Sequence, residues 1–158
     1  MPATAVTPGE PRSPVSTMSK DPHSLANLDA FRVRHLDLSL DVDFAARRLS
    51  GTVDLRVERL EAAATELVLD SHALVIRQVW AMDDSGHAQR ELSFAKGAPV
   101  PSLGEPLRIA LPPGVRGETF TVRISYQTSP DAGGLQWLEP AQTAGRTHPF
   151  LFSQSQSI

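Results

Sequence analysis

Cysteine is absent from the 158 residues of the sequence, which excludes disulfide frameworks, thiolate zinc sites and cysteine nucleophiles. Long apolar runs are absent as well, because none approaches the roughly 18 consecutive residues that a membrane-spanning helix needs. An excess of basic charge is also missing, since the formal net charge is −3 at pH 7. A nucleic-acid partner calls for a clustered basic face. We therefore expect neither a membrane nor a nucleic acid among the partners.

A secretory signal is also missing. Residues 1–20 contain almost no large apolar side chains, and four of them are proline: Pro2, Pro8, Pro11 and Pro14. A signal peptide needs a basic start and a continuous apolar stretch of roughly 7 to 15 residues, and neither is present. The sequence therefore predicts a disordered tail over residues 1–20, a single domain over residues 21–158, and a cytoplasmic location.

What the sequence does contain is a strict alternation of apolar and polar residues. From residue 36 to residue 44 the even positions are apolar: Leu36, Leu38, Leu40, Val42 and Phe44. The phase resets after a turn at residues 45–47, and the apolar set becomes Leu49, Gly51, Val53, Leu55 and Val57. Alternation of this length predicts two half-buried antiparallel strands in a long hairpin. Gly51 within the second strand indicates a bulge or a close crossing of backbones.

Five shorter segments complete the predicted secondary structure. We expect strands over residues 66–70, 74–82, 87–94, 107–111 and 119–126. Turn signals separate them, at residues 83–86 (Asp-Asp-Ser-Gly) and at residues 111–114 (Leu-Pro-Pro-Gly). Several strands at this spacing, with no helix between them, predict an all-β fold, an antiparallel β-sandwich.

The residues that could carry chemistry are few. No two of the five histidines stand three to five residues apart, so no helical zinc pair is predicted. We interpret His35 as a solvated side chain and His148, which precedes Pro149, as structural. Asp37, Asp41 and Asp43 share a strand face and could hold a divalent cation or act as an acid–base pair. A solvated outer face with partners such as Arg56 is the favoured interpretation.

No serine lies in a Gly-x-Ser-x-Gly turn, and no glycine-rich phosphate loop is present. The residues therefore favour a scaffold or binding role over catalysis. We predict no catalytic, cofactor-binding or metal-binding residue in this chain.

The carboxy-terminal run offers a candidate binding site. Gln154 and Gln156 alternate along a predicted extended strand and so share a face. Amide carbonyls accept hydrogen bonds from an ammonium group without adding net charge. Together with nearby Gln136 and Trp137, the two glutamines could line a polar pocket. The alternative is that both are ordinary surface residues.

Three segments also carry a family resemblance. The first spans residues 21–38, the second is Leu-Ser-Gly-Thr-Val at 49–53, and the third spans residues 134–156. The third contains Gly-Leu-Gln-Trp-Leu, then Gln-Thr-Ala-Gly, then His-Pro-Phe-Leu-Phe-Ser-Gln-Ser-Gln. This succession resembles zinc aminopeptidases of the leukotriene hydrolase branch of the aminopeptidase N family. The likeness covers residues 21–158, and the third segment is the most specific part.

The resemblance implies an amino-terminal β-sandwich domain that packs on a zinc catalytic domain. It implies that Gln156, with Gln154 beside it, lines the pocket for the amino group of a peptide substrate, and we add Ser157 to this set. Ser155 and Ser157 stand where the family often has cysteine and alanine. The zinc-binding His-Glu-x-x-His and the Gly-x-Met-Glu-Asn motif that binds the substrate's amino terminus are both missing from the sequence. The resemblance thus implies zinc in the parent protein, none bound by this chain, and no activity of the chain alone.

A competing hypothesis remains open at this stage. The chain could be a stand-alone β-sandwich module that binds a protein or a carbohydrate. The succession from Gln136-Trp137 to Gln156 favours the aminopeptidase fragment, as does the apolar Ile158 that follows a polar, strand-like run.

Overall fold

The computed structural model describes residues 21–111 and 119–154. The expectations for the 1–20 tail, for the turn at 112–114, and for Gln156, Ser157 and Ile158 lie outside these residues. The described residues form ten strands and one short 3-10 turn, η1, at Pro140–Gln142. The strands are β1 (Phe31–Asp43), β2 (Arg48–Arg59), β3 (Glu66–Ser71), β4 (Leu74–Met82), β5 (Ala88–Glu91), β6 (Phe94–Lys96), β7 (Glu105–Ala110), β8 (Thr119–Thr128), β9 (Leu135–Leu138) and β10 (Phe150–Ser153).

These strands form three antiparallel sheets. The largest has five strands in the order β1-β2-β8-β4-β5, the second has three in the order β3-β7-β6, and β9 pairs with β10 in the third. The all-β, antiparallel prediction is confirmed. The hairpin places β1 beside β2 at one edge of the large sheet. Strand β8 then lies between β2 and β4 and pairs with both.

The core lies where the five-stranded and three-stranded sheets contribute side chains to one apolar cluster. Leu67 of β3 and Ile109 of β7 are almost fully buried, and so are three valines of the large sheet: Val57, Val79 and Val122. Val57 and Val122 lie where β2 and β8 alternate between apolar and polar residues, so one face of each of these two strands supplies the core. A β-branched or leucine side chain of this kind stabilises the fold by about 1.5–3 kcal/mol when it is fully buried.

The long hairpin forms as predicted, but its first strand is not half-buried. Leu36 lies opposite Leu55, and Leu38 lies opposite Val53, so the predicted faces are correct. Leu55 is 8% exposed, whereas Leu36 is 52% and Leu38 is 57% exposed. The core reaches β1 only near its start, where Phe31 is buried. The alternation predicted which side chains share a face, but it does not determine whether another layer covers that face.

The predicted strand over residues 87–94 is wrong as a single element. It divides into β5 in the large sheet and β6 in the three-stranded sheet. The crossing occurs at two residues: the amide of Leu92 donates to the carbonyl of Val79 at 2.8 Å, and Ser93 accepts from the amide of Ala110 at 2.9 Å. Leu92 is buried at this crossing. The apolar pattern continues through the division because both sheets share the core.

Ionisation of Tyr126 lowers the stability of the fold at alkaline pH. This side chain of β8 packs against the core, and burial raises the pKa of its phenol above the ordinary value. Ionisation therefore occurs first in the unfolded chain. The contribution of the neutral Tyr126 side chain to the free energy of unfolding is complete below the ordinary pKa of about 10. It is lost as the pH rises through the higher pKa of the folded state.

We expect the free energy of unfolding to fall above about pH 10, and Tyr126→Phe to reduce that fall. Tyr126 is the single tyrosine of the chain, so the absorbance of phenolate reports on this residue alone. A titration midpoint that is the same in the native and the urea-unfolded protein would contradict the assignment.

Candidate functional site

The candidate site lies at the β9–β10 hairpin, where the sequence places Gln136, Trp137 and Gln154. Leu151 lies opposite Trp137, and Phe152 lies opposite Gln136. Because side chains alternate along each strand, Phe152 and Gln136 share one face and Leu151 and Trp137 share the other. This pairing of residues 135–138 with 150–153 was not predicted from the sequence.

The Trp137 face attaches the hairpin to the turn between β1 and β2. The rings of Trp137 and Phe44 meet edge to face, with centroids 5.8 Å apart. An ion pair between Arg47 and Glu139 joins the same two regions. The indole N–H of Trp137 is buried and has no acceptor within the described residues. A buried donor without an acceptor costs about 1–3 kcal/mol.

The loop that connects β9 to β10 is held by its own polar groups. The amide of Glu139 donates to Oε1 of Gln142 at 2.9 Å, and the amide of Gln142 donates to the carbonyl of Glu139 at 2.8 Å. The hydroxyl of Thr143 lies 2.9 Å from the carbonyl of Pro140 and 3.0 Å from that of His148. The loop therefore fixes where β10 begins. His148 takes part through its backbone, consistent with the structural role predicted for it.

Gln154 follows β10 and is exposed. Its amide donates to the carbonyl of Gly134 at 3.0 Å, so the ladder extends one pair beyond the strands. Continued alternation puts Gln154 on the face of Phe152 and Gln136, whereas Trp137 lies on the opposite face of the hairpin. The polar pocket expected from both glutamines stays a prediction, because Gln156 lies outside the described residues.

Gln156 and Ser157 lie outside the described residues, and their role in substrate binding remains a prediction. Two aromatic residues on the Gln154 face were missed at the sequence level. Phe150 is 53% exposed and Phe152 is 48% exposed. Their signal was present in the run Phe-Leu-Phe-Ser-Gln, where every second residue falls on one face. A shallow cavity of about 440 Å³ adjoins Phe150 and is lined by Leu138, Thr143, Ala144 and Pro149 among others.

The outer face of the large sheet carries the other polar candidates. A groove of about 810 Å³ runs across it, lined in part by His35, Asp37, Asp54 and Arg56. Asp54 forms two hydrogen bonds of 2.6 Å with Arg123. The hydrogen bond to Asp54 raises the pKa of the Arg123 guanidinium, while burial acts in the opposite direction.

The predicted row of carboxylates has different neighbours from those expected. Asp37 lies opposite Asp54, and Arg56 lies opposite His35. The bulge between Val33 and His35 shifts this register, which the alternation alone does not reveal. His35 and Asp37 are both well exposed and lie 3.2 Å apart, so the solvated interpretation of His35 is confirmed. Among residues 21–111 and 119–154, no three histidine, aspartate or glutamate side chains are placed to hold a metal ion.

No helix in the described part of the chain is long and apolar enough to cross a membrane.

The comparisons with known proteins all lead to the same group of enzymes. The leukotriene A-4 hydrolase of Xenopus laevis is 38% identical over 138 residues, which are 87% of this chain and 22% of that protein. The leucine aminopeptidase 2 of Neurospora crassa is 38% identical over 141 residues, which are 88% of this chain and 20% of that enzyme. No protein-family model matches the sequence.

The fold shows the same relationship. The structure of yeast LTA4 hydrolase in complex with bestatin matches 90% of this chain, with a TM-score of 0.75 and 31% identity, and the match covers 21% of that chain. The chain is homologous to the amino-terminal region of leukotriene A-4 hydrolases. Its relatives include enzymes named leucine aminopeptidase 2, so the homologous proteins are hydrolases.

The homology covers only part of these leukotriene A-4 hydrolase relatives, because the chain spans about a fifth of their length. The family resemblance implies zinc, but the described residues contain no group of three or more histidine, cysteine, aspartate or glutamate side chains that could bind it. No chemical step can therefore be derived through a metal held by this part of the chain. The described domain supplies a sheet scaffold and an exposed hairpin face.

Proposed function

We propose that this chain is the amino-terminal domain of a zinc-dependent aminopeptidase that removes amino-terminal residues from peptides. The observation that carries the proposal is the homology to leukotriene A-4 hydrolases and leucine aminopeptidases over 87–88% of the chain. In this proposal the domain packs on a zinc catalytic domain of a longer polypeptide. The reaction belongs to that catalytic domain, and the cytoplasm is the expected location.

The contribution of this chain is to bind the free amino group of the peptide. Gln156, with Gln154 and Ser157, offers uncharged oxygen acceptors to the ammonium group. An exopeptidase must hold the substrate by its terminus so that the first peptide bond lies at the catalytic centre. A zinc ion bound by the catalytic domain would supply Lewis-acid chemistry there. The rigid loop at 139–148 and the bond between Gln154 and Gly134 support the proposal, because they fix the point from which residues 155–157 continue. The exposed Phe150 and Phe152 give the same face an apolar surface suited to packing on the catalytic domain.

The chain alone is expected to be inactive. Purified chain incubated with zinc and an aminoacyl chromogenic substrate should release no more product than buffer, because the described residues provide no metal site. Turnover that survives a second purification and is abolished by a chelator would contradict this expectation. The matched positive control is a longer homologue such as yeast LTA4 hydrolase, assayed under the same conditions.

Gln156→Ala in the longer enzyme should raise KM for peptides and leave the zinc content unchanged. Loss of one hydrogen bond to a charged amine should cost roughly 1.5–3 kcal/mol in kcat/KM. Gln78→Ala is the matched control, because it removes an exposed amide from β4, outside the β9–β10 hairpin. An unchanged kcat/KM for Gln156→Ala would remove this residue from the amine pocket.

A stand-alone binding module is the second candidate. The observation that favours it is the polar groove of about 810 Å³ on the outer face of the large sheet. A native gene that has a stop codon directly after residue 158, with no zinc motif downstream, would favour this module over the aminopeptidase domain.

A further inference from the structure

The first strand of the large sheet has an outer edge that no other strand of residues 21–111 and 119–154 pairs with. β1 comes first in the order β1-β2-β8-β4-β5, and within the described residues it pairs with β2 alone. It is 13 residues long and contains no proline. A long edge strand presents a row of free amide and carbonyl groups to which another strand can bind. Most proteins shorten or block such an edge, whereas β1 is the longest strand in the described part of the chain.

The edge is apolar on one face. Leu36 and Leu38 are 52% and 57% exposed, and Val42 and Phe44 are 46% and 41% exposed. At about 3.3 Å per residue, the part of this apolar row that lies in β1, from Leu36 to Val42, extends over roughly 20 Å. It lies on the same face as the buried Leu55, which is opposite Leu36. The row therefore continues the core face of the sheet beyond the region that the three-stranded sheet covers.

The edge is acidic on its other face. Asp37, Asp41 and Asp43 share that face. Asp43 lies opposite Arg48, which balances its charge, but the other two aspartates have no cation directly opposite them. Asp41 lies opposite Ser50, and Asp37 lies opposite Asp54, whose own carboxylate is bound by Arg123. The Asp37 side chain is 76% exposed and lies 3.2 Å from the imidazole of His35.

We propose that the outer edge of β1 binds an extended peptide segment in which apolar and basic residues alternate. The segment adds a sixth strand to the sheet through backbone hydrogen bonds. Its apolar side chains cover Leu36, Leu38 and Val42, and its lysine or arginine side chains lie beside Asp37 and Asp41. The proposal goes beyond the proposed amine pocket, because it concerns a separate surface and requires no catalytic activity.

In registers centred on residues 37 to 39, the charge disfavours a second copy of the chain as the occupant. Two β1 strands that pair antiparallel around Asp37 would put the two Asp37 carboxylates directly opposite each other. Pairing around Leu38 would put them on a diagonal, and pairing around Ser39 would put Asp37 opposite Asp41. Like charges at such positions are destabilising. A strand with basic residues avoids this repulsion and gains cross-strand ion pairs.

The probe is a synthetic peptide of about nine residues in which valine and lysine alternate, with blocked ends. Added to the purified chain, it should bind saturably and slow hydrogen exchange of backbone amides within residues 36–42. A matched peptide with every second backbone nitrogen methylated should bind at least about tenfold more weakly, because it cannot complete the ladder. Equal binding of the two peptides, or protection confined to another strand, would overturn the proposal.

Variants test the charged face. The double variant Asp37→Asn and Asp41→Asn should weaken peptide binding by about twofold to thirtyfold, which corresponds to two exposed ion pairs. Asp84→Asn is the matched control, since Asp84 is an exposed carboxylate in the β4–β5 turn. An equal loss in both proteins would mean non-specific attraction and would overturn the proposal. A dimer with β1 amides already protected in the absence of peptide would also overturn it, because the occupant would then be a second copy.

Discussion

Ile109→Ala should lower the free energy of unfolding by about 2–5 kcal/mol, the range for removing a large aliphatic side chain from a packed core. Ile109 is 0% exposed and sits in the middle strand of the three-stranded sheet, between Leu67 of β3 and Phe94 of β6. The same apolar cluster includes side chains of β2, β4 and β8. Because residues on both sides are held in sheets, the cavity cannot easily close. A loss of this size is a large fraction of the 5–15 kcal/mol that stabilises an ordinary domain.

Two matched variants distinguish the effect of burial on stability from the effect of losing an aliphatic side chain. Ile109→Val leaves most of the side chain in place and should cost about 0.5–1.5 kcal/mol. Leu38→Ala removes an aliphatic side chain of similar size from β1, where it is 57% exposed, and should change stability by less than about 0.5 kcal/mol. Urea unfolding followed by circular dichroism measures all three. Equal losses for Ile109→Ala and Leu38→Ala would mean that β1 is covered in solution or that the two sheets do not pack together.

The contrast between Ile109 and Leu38 shows how far the sequence predicts this fold. Alternation is a local property, and it predicted correctly that Leu38 shares a face with Val53 and that residues 107–111 contain a strand. Coverage of a face depends on which strands pack over it, and that is decided by residues distant in the sequence. Leu38 and Ile109 have equally good strand patterns around them, yet one is exposed and the other is buried.

Long-range contacts account for most of what the sequence did not reveal. The ion pair between Arg47 and Glu139 joins residues 92 positions apart, and no local pattern predicts it. The division of residues 87–94 into β5 and β6 has the same cause, since the change of sheet depends on Val79 and Ala110 as hydrogen-bond partners. The turns at residues 45–47 and 83–86 were predicted correctly because their determinants are local. The amide of Gly86 donates to the carbonyl of Asp83, as the Asp-Asp-Ser-Gly run indicated.

The candidate binding site also depends on pairing that local patterns do not reveal. Alternation predicts that residues two apart in one strand share a face, but the face that Gln154 shares with Gln136 depends on the pairing of β9 with β10, which was not predicted. The position of Trp137 likewise depends on Phe44 in a distant turn. The family resemblance, and not the alternation, was the source of the amine-binding role for Gln156. That role is tested by kinetics of the longer enzyme, as described above.

Gly51→Ala should be the second severe substitution, with a loss of about 3 kcal/mol or more in the free energy of unfolding. Gly51 lies within β2, between Leu40 of β1 and Tyr126 of β8. A Cβ at this position would lie 2.0 Å from the carbonyl oxygen of Ser39 and 3.0 Å from the Cα of Leu40. Both contacts are with backbone, so no side-chain rotation relieves them, and the strands would have to move apart. This confirms the close crossing of backbones that the sequence indicated at Gly51.

Gly86→Ala is the matched control for this effect. Both glycines have a positive φ, +155° for Gly51 and +79° for Gly86, but no atom lies within 4 Å of a Cβ built on Gly86. Gly86→Ala should therefore lower the free energy of unfolding only by the cost of a positive φ at alanine, about 1–2 kcal/mol. The difference between the two variants isolates the clash between β1 and β2. If Gly51→Ala proved no more destabilising than Gly86→Ala, the hairpin would have to tolerate a wider separation at Leu40, and the register that exposes the apolar row of β1 would be wrong.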